Sequence, residues 1–237
     1  MNWPSYFRQT NTLLYSYILA VPLFVLYELL IRISQPGQEA MVRISVDIWF
    51  QSILYALGFN ALSVMFWGVI IGGAILLFVK RKQLHQVKIR YLLGVLGESM
   101  VYALLILAVV GSLTGWIFQL SAEGGLESLS KLQLFALSLG AGLYEELFFR
   151  VILVSFLMWF LHFFTTRKTA LILSVLIAAL LFSAVHHIGE FGDPFTLRVF
   201  FFRFLFGLAL NLVYVKRGFG CAAWTHALYD VWIVLQY

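Results

Sequence analysis

An all-α polytopic membrane protein is the fold class this sequence predicts, and three observations predict it. Hydrophobic residues make up 62% of the chain and charged residues only 11%, where a soluble domain carries about 25% charged residues. Several apolar runs exceed the roughly 18 residues that mark a bilayer-crossing helix. The polar stretches between them are short, so 1–237 reads as a single membrane domain with no soluble module. Lipid offers the backbone no solvent partners, which requires each single span to be helical. The net charge of +5 comes without a basic stripe that would suit nucleic acid. The expected surroundings are therefore the lipid bilayer, with the chain a multi-pass integral protein of the cell membrane. Cys221 is the only cysteine, which excludes an internal disulfide and any multi-cysteine metal site.

Residues 1–10 are a polar and aromatic lead in which Trp3 and Tyr6 suit the headgroup level. Span one covers about 11–33; it holds Pro22 and Glu28 and lacks a small-residue cleavage site, so it reads as a retained span and not a removed signal peptide. A polar loop with Pro36-Gly37 follows at 34–47, and 48–59 reads as an interfacial segment before span two at about 60–79. Gly68 and Gly72 have the small-xxx-small spacing of a close helix contact. The segment 80–90 holds five basic residues and no acid. Span three, about 91–113, contains Glu98; the more polar 114–131 carries Glu123 and Glu127 and leads into the long central run 132–164. After the basic turn 165–169, span five covers about 170–187. The Gly and Pro of 189–194 mark a loop. Span six follows at about 197–215, a turn at 216–220, and span seven at about 221–235.

Seven spans with the N-terminus cytoplasmic put ten basic residues inside: Arg8, the five of 80–90, Arg167, Lys168, Lys216 and Arg217. Four fall outside (Arg32, Arg43, Lys131, Arg198), and Arg150 and Arg203 stay in the membrane. That asymmetry is the positive-inside pattern. An eighth span made from 48–59 breaks it, so seven is preferred over eight.

Three charges interrupt the central run, in Tyr144-Glu145-Glu146-Leu147-Phe148-Phe149-Arg150. Ionisable groups at membrane depth are costly and read as functional by default. On a helix Glu146 and Arg150 lie four apart with the acid N-terminal, the favoured ion-pair orientation. Glu145 projects about 100° away, so one carboxylate can brace the helix while the other is free for chemistry. Two further helices carry polar pairs at the same spacing, Phe182 with His186 and His226 with Asp230. In the first pair the ring can pack under the imidazole. In the second a carboxylate can orient an imidazole, or both groups can face one substrate oxygen. A buried network that only fixes helix packing is the competing reading of all three.

Other polar residues have plainer readings. Glu28 and Glu98 fit inter-helix hydrogen bonding, with Arg203 expected to pair with one of them. His187 reads as a neighbour of the site, and His85 and His162 as interfacial residues.

Taken in order, Glu145-Glu146 with Arg150, Phe182 with His186, and His226 with Asp230, preceded by Phe204-Leu205-Phe206-Gly207, resemble the motifs of the CPBP or Abi family of intramembrane proteases. That family includes the type II CAAX prenyl endopeptidases. The resemblance covers about 132–235, the implied catalytic core; spans one to three match only as apolar helices. It implies an endopeptidase that hydrolyses a peptide bond of a membrane-associated protein or peptide substrate. Glu145 would be the general base, His186 would hold and polarise the water, and His226 and Asp230 would face the developing oxyanion. Glu146 and Arg150 would brace the base, with Phe182 under His186.

The prenyl endopeptidases place Asn where this chain has Asp230. An amide donates to an oxyanion whereas an ionised carboxylate only accepts, so Asp230 is expected to orient His226 or to act protonated. The implied chemistry needs no cofactor when glutamate activates the water. Zinc is the alternative, with Glu145, His186 and His226 as its ligands by type; no His-Glu-x-x-His helix is present.

Depth is a further constraint. At 1.5 Å per residue His186 lies roughly 27 Å beyond Lys168 and His226 about 14 Å beyond Arg217, so the site requires tilted or broken helices, with Gly140 or Gly142 as the break. The competing functions are a non-proteolytic membrane partner or immunity protein on the same scaffold, and a small transporter. The transporter predicts internal repeats, and none is evident.

Overall fold

Side-chain caps set the starts of most of the long helices. The computed structural model describes residues 3–37, 41–114, 129–188 and 192–236. Thr12, Asn60, Thr166 and Thr196 each accept a hydrogen bond from the backbone nitrogen three residues on. Ser130 does the same with Gln133, whose side chain answers to the Ser130 nitrogen in a full capping box. The helices are α1 (Trp3–Thr10), α2 (Leu13–Ser34), α3 (Ser45–Ala56), α4 (Ala61–Val79), α5 (Ile89–Thr114), α6 (Lys131–Gly140), α7 (Ser155–His162), α8 (Arg167–Val185), α9 (Leu197–Arg217) and α10 (Phe219–Leu235). A 3-10 turn at Arg81–Gln86 joins α4 to α5. No strand occurs among the described residues.

Five helices are long and apolar enough to cross a membrane: Leu13–Ser34, Ala61–Val79, Ile89–Leu113, Arg167–Val185 and Leu197–Arg217. The helical stretch 131–162 and the 17-residue α10 occupy the ranges read as the two remaining spans. The segment read as interfacial is the 12-residue α3, folded against α4. Glu123, Glu127 and most of the 114–131 loop lie outside the described residues, as do Gly189, Glu190 and Phe191 of the 189–194 loop.

α10 is the central helix, packed against α2, α5, α6 and α9. Its small residues Ala222, Ala223 and Ala227 are fully buried, and they let the neighbouring backbones approach. Two polar clamps fix the ends of the bundle. At one end Arg217 reaches Glu98 through Nε at 2.5 Å and Nη2 at 2.8 Å, while Tyr6 (2.6 Å) and Tyr102 (2.8 Å) donate to the same carboxylate. Burial and that carboxylate raise the Tyr6 phenol above its ordinary pKa, which keeps it a donor. At the other end Arg43 pairs with Glu28 at 2.9 Å and Asp47 at 2.7 Å, and Tyr27 donates to Asp47 at 2.8 Å. Glu28 and Glu98 therefore bridge elements, but neither takes Arg203. Asp193, only ten residues away and outside the helices, is its partner.

The glycine pair of span two is a second correction. A side chain on Gly68 or Gly72 would meet nothing within 4 Å, so neither mediates a close contact. The tight approach of α4 is at Gly73, which faces Tyr17, whose hydroxyl donates to the Val69 carbonyl at 2.7 Å.

Candidate active site

The stretch that carries the three charges does not break; it widens. From Ala141 to Glu145 and again from Leu147 to Val154 the chain is wound as a π-helix between α6 and α7. Bonds from i to i+5 open the turn, and such segments recur at functional sites. Gly142 is what lets this segment lie on α10. A Cβ there would sit 2.5 Å from the Ala223 carbonyl oxygen and 2.7 Å from the Ala227 nitrogen. One turn further on, this contact brings Glu146 against His226.

Glu146 and Arg150 are completely buried. Glu146 Oε1 lies 2.9 Å from Arg150 Nη1 and 2.7 Å from His226 Nδ1. Arg150 Nη2 donates to the Gly207 carbonyl of α9 at 3.2 Å, and its guanidinium lies over the Phe182 ring at 4.8 Å. Gly207 is small because Phe182 occupies the space: a Cβ there would meet that ring at 2.9 Å. On the far side of His226, Nε2 faces Asp230 Oδ2 at 3.4 Å. The imidazole thus lies between two carboxylates, with the rings of Phe206 at 5.1 Å and Phe182 at 6.2 Å packed against it.

Glu145 points to a different helix. Its Oε2 is buried without a hydrogen-bond partner among the described residues and lies 3.6 Å from His186 Nε2. His186 caps the C-terminus of α8. Its Nδ1 is 2.7 Å from the Phe182 carbonyl, and its ring packs against Phe182 at a tilt of 55° with centroids 4.5 Å apart. A carbonyl only accepts, so Nδ1 carries the proton and a neutral ring turns a lone pair toward Glu145.

All seven residues singled out in the sequence, Glu145, Glu146, Arg150, Phe182, His186, His226 and Asp230, therefore meet in one cluster with Phe182 at its centre. His187 stands beside it, its Nδ1 3.0 Å from the Asp193 carbonyl. Phe206, from the run Phe204-Leu205-Phe206-Gly207, packs beside the cluster against Tyr229 with ring centroids 4.5 Å apart, and Tyr229 is not distinguishable from other membrane aromatics by sequence. Asp193, read only as part of the 189–194 loop, is a further residue the sequence did not single out. It donates its backbone nitrogen to the His186 carbonyl at 2.8 Å and pairs through its carboxylate with Arg203.

Zinc at Glu145, His186 and His226 needs three donors about 2.0–2.2 Å from one point. Both nitrogens of His226 face other carboxylates. Among the described residues no group of three His, Cys, Asp or Glu side chains is placed to hold a metal ion. As arranged, the three side chains do not fit a zinc site.

Residues 127–232 match the family described as Type II CAAX prenyl endopeptidase Rce1-like. The match spans α6 to α10 and leaves α1 to α5 outside. No curated protein and no solved structure matches the chain.

Proposed function

We propose, for a chain whose residues 127–232 belong to the Rce1-like type II CAAX prenyl endopeptidase family, that it hydrolyses a peptide bond of a membrane-associated substrate with water activated by Glu145 and His186. One observation carries the mechanism: Glu145 Oε2 and His186 Nε2 face each other at 3.6 Å, the carboxylate oxygen having no hydrogen-bond partner among the described residues. That separation is too long for a hydrogen bond and suits a water that donates to both. Its free lone pair is then available to a carbonyl carbon. Attack forms the C–O bond, the water's proton passes to Glu145, and the same proton reaches the departing amine as the C–N bond breaks.

His226 serves the other side of the reaction. Glu146 holds its Nδ1 and so aims Nε2 at the Asp230 side of the cluster, where a proton on Nε2 can be donated to the developing oxyanion. Asp230 ionised only accepts, so its part is to orient His226. Arg150 keeps Glu146 in place through the ion pair and the Gly207 carbonyl. The multi-pass topology of this reading is seven spans with the N-terminus cytoplasmic.

The test is cleavage of a pool of membrane-protein substrates by purified wild type and by Glu145→Gln, each with and without a zinc chelator, reading new termini by mass spectrometry. New termini are expected with wild type alone, at a rate the chelator does not change. General-base removal should cost about 10²–10⁴-fold. A folded Glu145→Gln that cuts at the wild-type rate refutes the assignment of the base to Glu145, and an absence of new termini with wild type and variant alike favours a non-proteolytic partner. Loss of wild-type cleavage on chelation transfers the water to a metal.

A further inference from the structure

A cavity of about 1360 Å³ lies among α2, α3, α4, the π-wound segment and the start of α8. Leu143, Tyr144 and Leu147 line it, but none of the seven site residues does. The two faces of the π-wound segment therefore serve different spaces.

The lining is sorted by depth. At one end, where α2 and α8 begin and α9 ends, stand Asn11, Thr12, Ser155, Arg167, Lys168 and Tyr214. At the other the wall is Phe24, Phe50, Ile53 and Met65. From Thr12 to Phe24 along α2 is roughly 18 Å at 1.5 Å per residue. That is close to half the ~30 Å hydrocarbon thickness of a bilayer. A spanning substrate helix needs the full thickness, whereas an acyl chain of one leaflet needs half. Arg167 and Lys168 are exposed and have no ion-pair or hydrogen-bond partner among the described residues. They open the 19-residue α8, so its positive dipole end adds to their charge. Among the described residues no acid lines the cavity to receive the cation of a zwitterionic headgroup.

We propose that this cavity binds an anionic glycerophospholipid, its phosphate held by Arg167 and Lys168 and one acyl chain lying along α2 toward Phe24. The site is independent of the proteolytic reading, because it shares no residue with the catalytic cluster.

Native mass spectrometry of the delipidated full chain, titrated with phosphatidylglycerol or phosphatidylcholine of equal chain length, tests the proposal. Two cations near a headgroup predict roughly thirtyfold tighter binding of phosphatidylglycerol by wild type. The double variant Arg167→Glu/Lys168→Glu should lose that preference while still taking up either lipid weakly. Gly68→Phe narrows the cavity, because Gly68 lines it and a Cβ there meets nothing within 4 Å. It should weaken both lipids alike with an unchanged melting temperature. Glu145→Gln should bind as wild type does, whatever its activity. Equal affinity of wild type for the two lipids overturns the proposal, as does a preference that survives the charge reversal. Displacement of phosphatidylglycerol by a free prenyl alcohol at equal concentration overturns it too, and would assign the cavity to a substrate chain.

Discussion

Glu146 holds two partners with one oxygen. Oε1 takes both Arg150 and His226, inside a region with no exposure to share the charge. Removing one member of a buried pair leaves an uncompensated charge and costs about 3–5 kcal/mol. Arg150→Ala and Glu146→Ala should each lower the unfolding free energy by that amount, measured by denaturant unfolding in detergent. The double variant Glu146→Leu/Arg150→Met should recover much of the stability yet none of the cleavage, since His226 would then lack the acceptor on Nδ1. If the double variant cleaves substrate, the pair is scaffold and His226 does not depend on it. The Glu146–Arg150 half of this triad is legible in the sequence, because the helix itself places residues i and i+4 together. The His226 half is not: those residues are 80 apart, and only the packing of Gly142 on α10 joins them.

At the scale of elements, the span ranges follow from apolar length and capping residues, but the winding does not. Hydrophobic period does not separate an α-turn from a π-turn over so short a stretch, and the expected break at Gly140 or Gly142 is in fact a widening at Ala141–Glu145. The loop after α8 was also unreadable beyond its Gly and Pro. Its Asp193 ties the His186 carbonyl to Arg203 of α9, so the loop holds the end of α8 against α9. Ser183 adds a hydrogen bond to the Phe200 carbonyl at 2.6 Å. Asp193→Ala and Arg203→Ala should therefore loosen His186 without unfolding the bundle. A misplacement of about 1 Å can cost up to ~10²-fold in rate. We expect a loss of about ten- to a hundredfold in cleavage rate with a melting temperature within a few degrees of wild type. A wild-type rate in both variants would show that the loop does not position the histidine.

The whole molecule gathers its basic segments at one end. Tyr15 Oη accepts from the Lys88 nitrogen at 3.0 Å, joining the start of α2 to the 80–90 segment. Asn11 donates to the Lys216 carbonyl at 3.1 Å, joining it to the α9–α10 turn. Arg167 and Lys168 line the same mouth as Asn11. If that end faces the cytoplasm, as the excess of Lys and Arg predicts, Lys131 and Leu197 lie on the opposite face. At 1.5 Å per residue the 12 residues of α3 reach only about 18 Å, short of the ~30 Å a span needs, so Leu57 should share that opposite face. The sole native cysteine is buried, which leaves introduced cysteines as the readable ones. In intact cells a membrane-impermeant maleimide should label Leu57→Cys, Lys131→Cys and Leu197→Cys, and should reach Lys82→Cys and Lys168→Cys only after permeabilisation. The inverse pattern at all five positions, with Arg8→Cys labelled in intact cells, reverses the orientation and keeps the span count. Disagreement between Lys131 and Leu197 refutes seven spans. The same inverse pattern with Arg8→Cys reached only after permeabilisation makes α3 a crossing element and raises the count to eight.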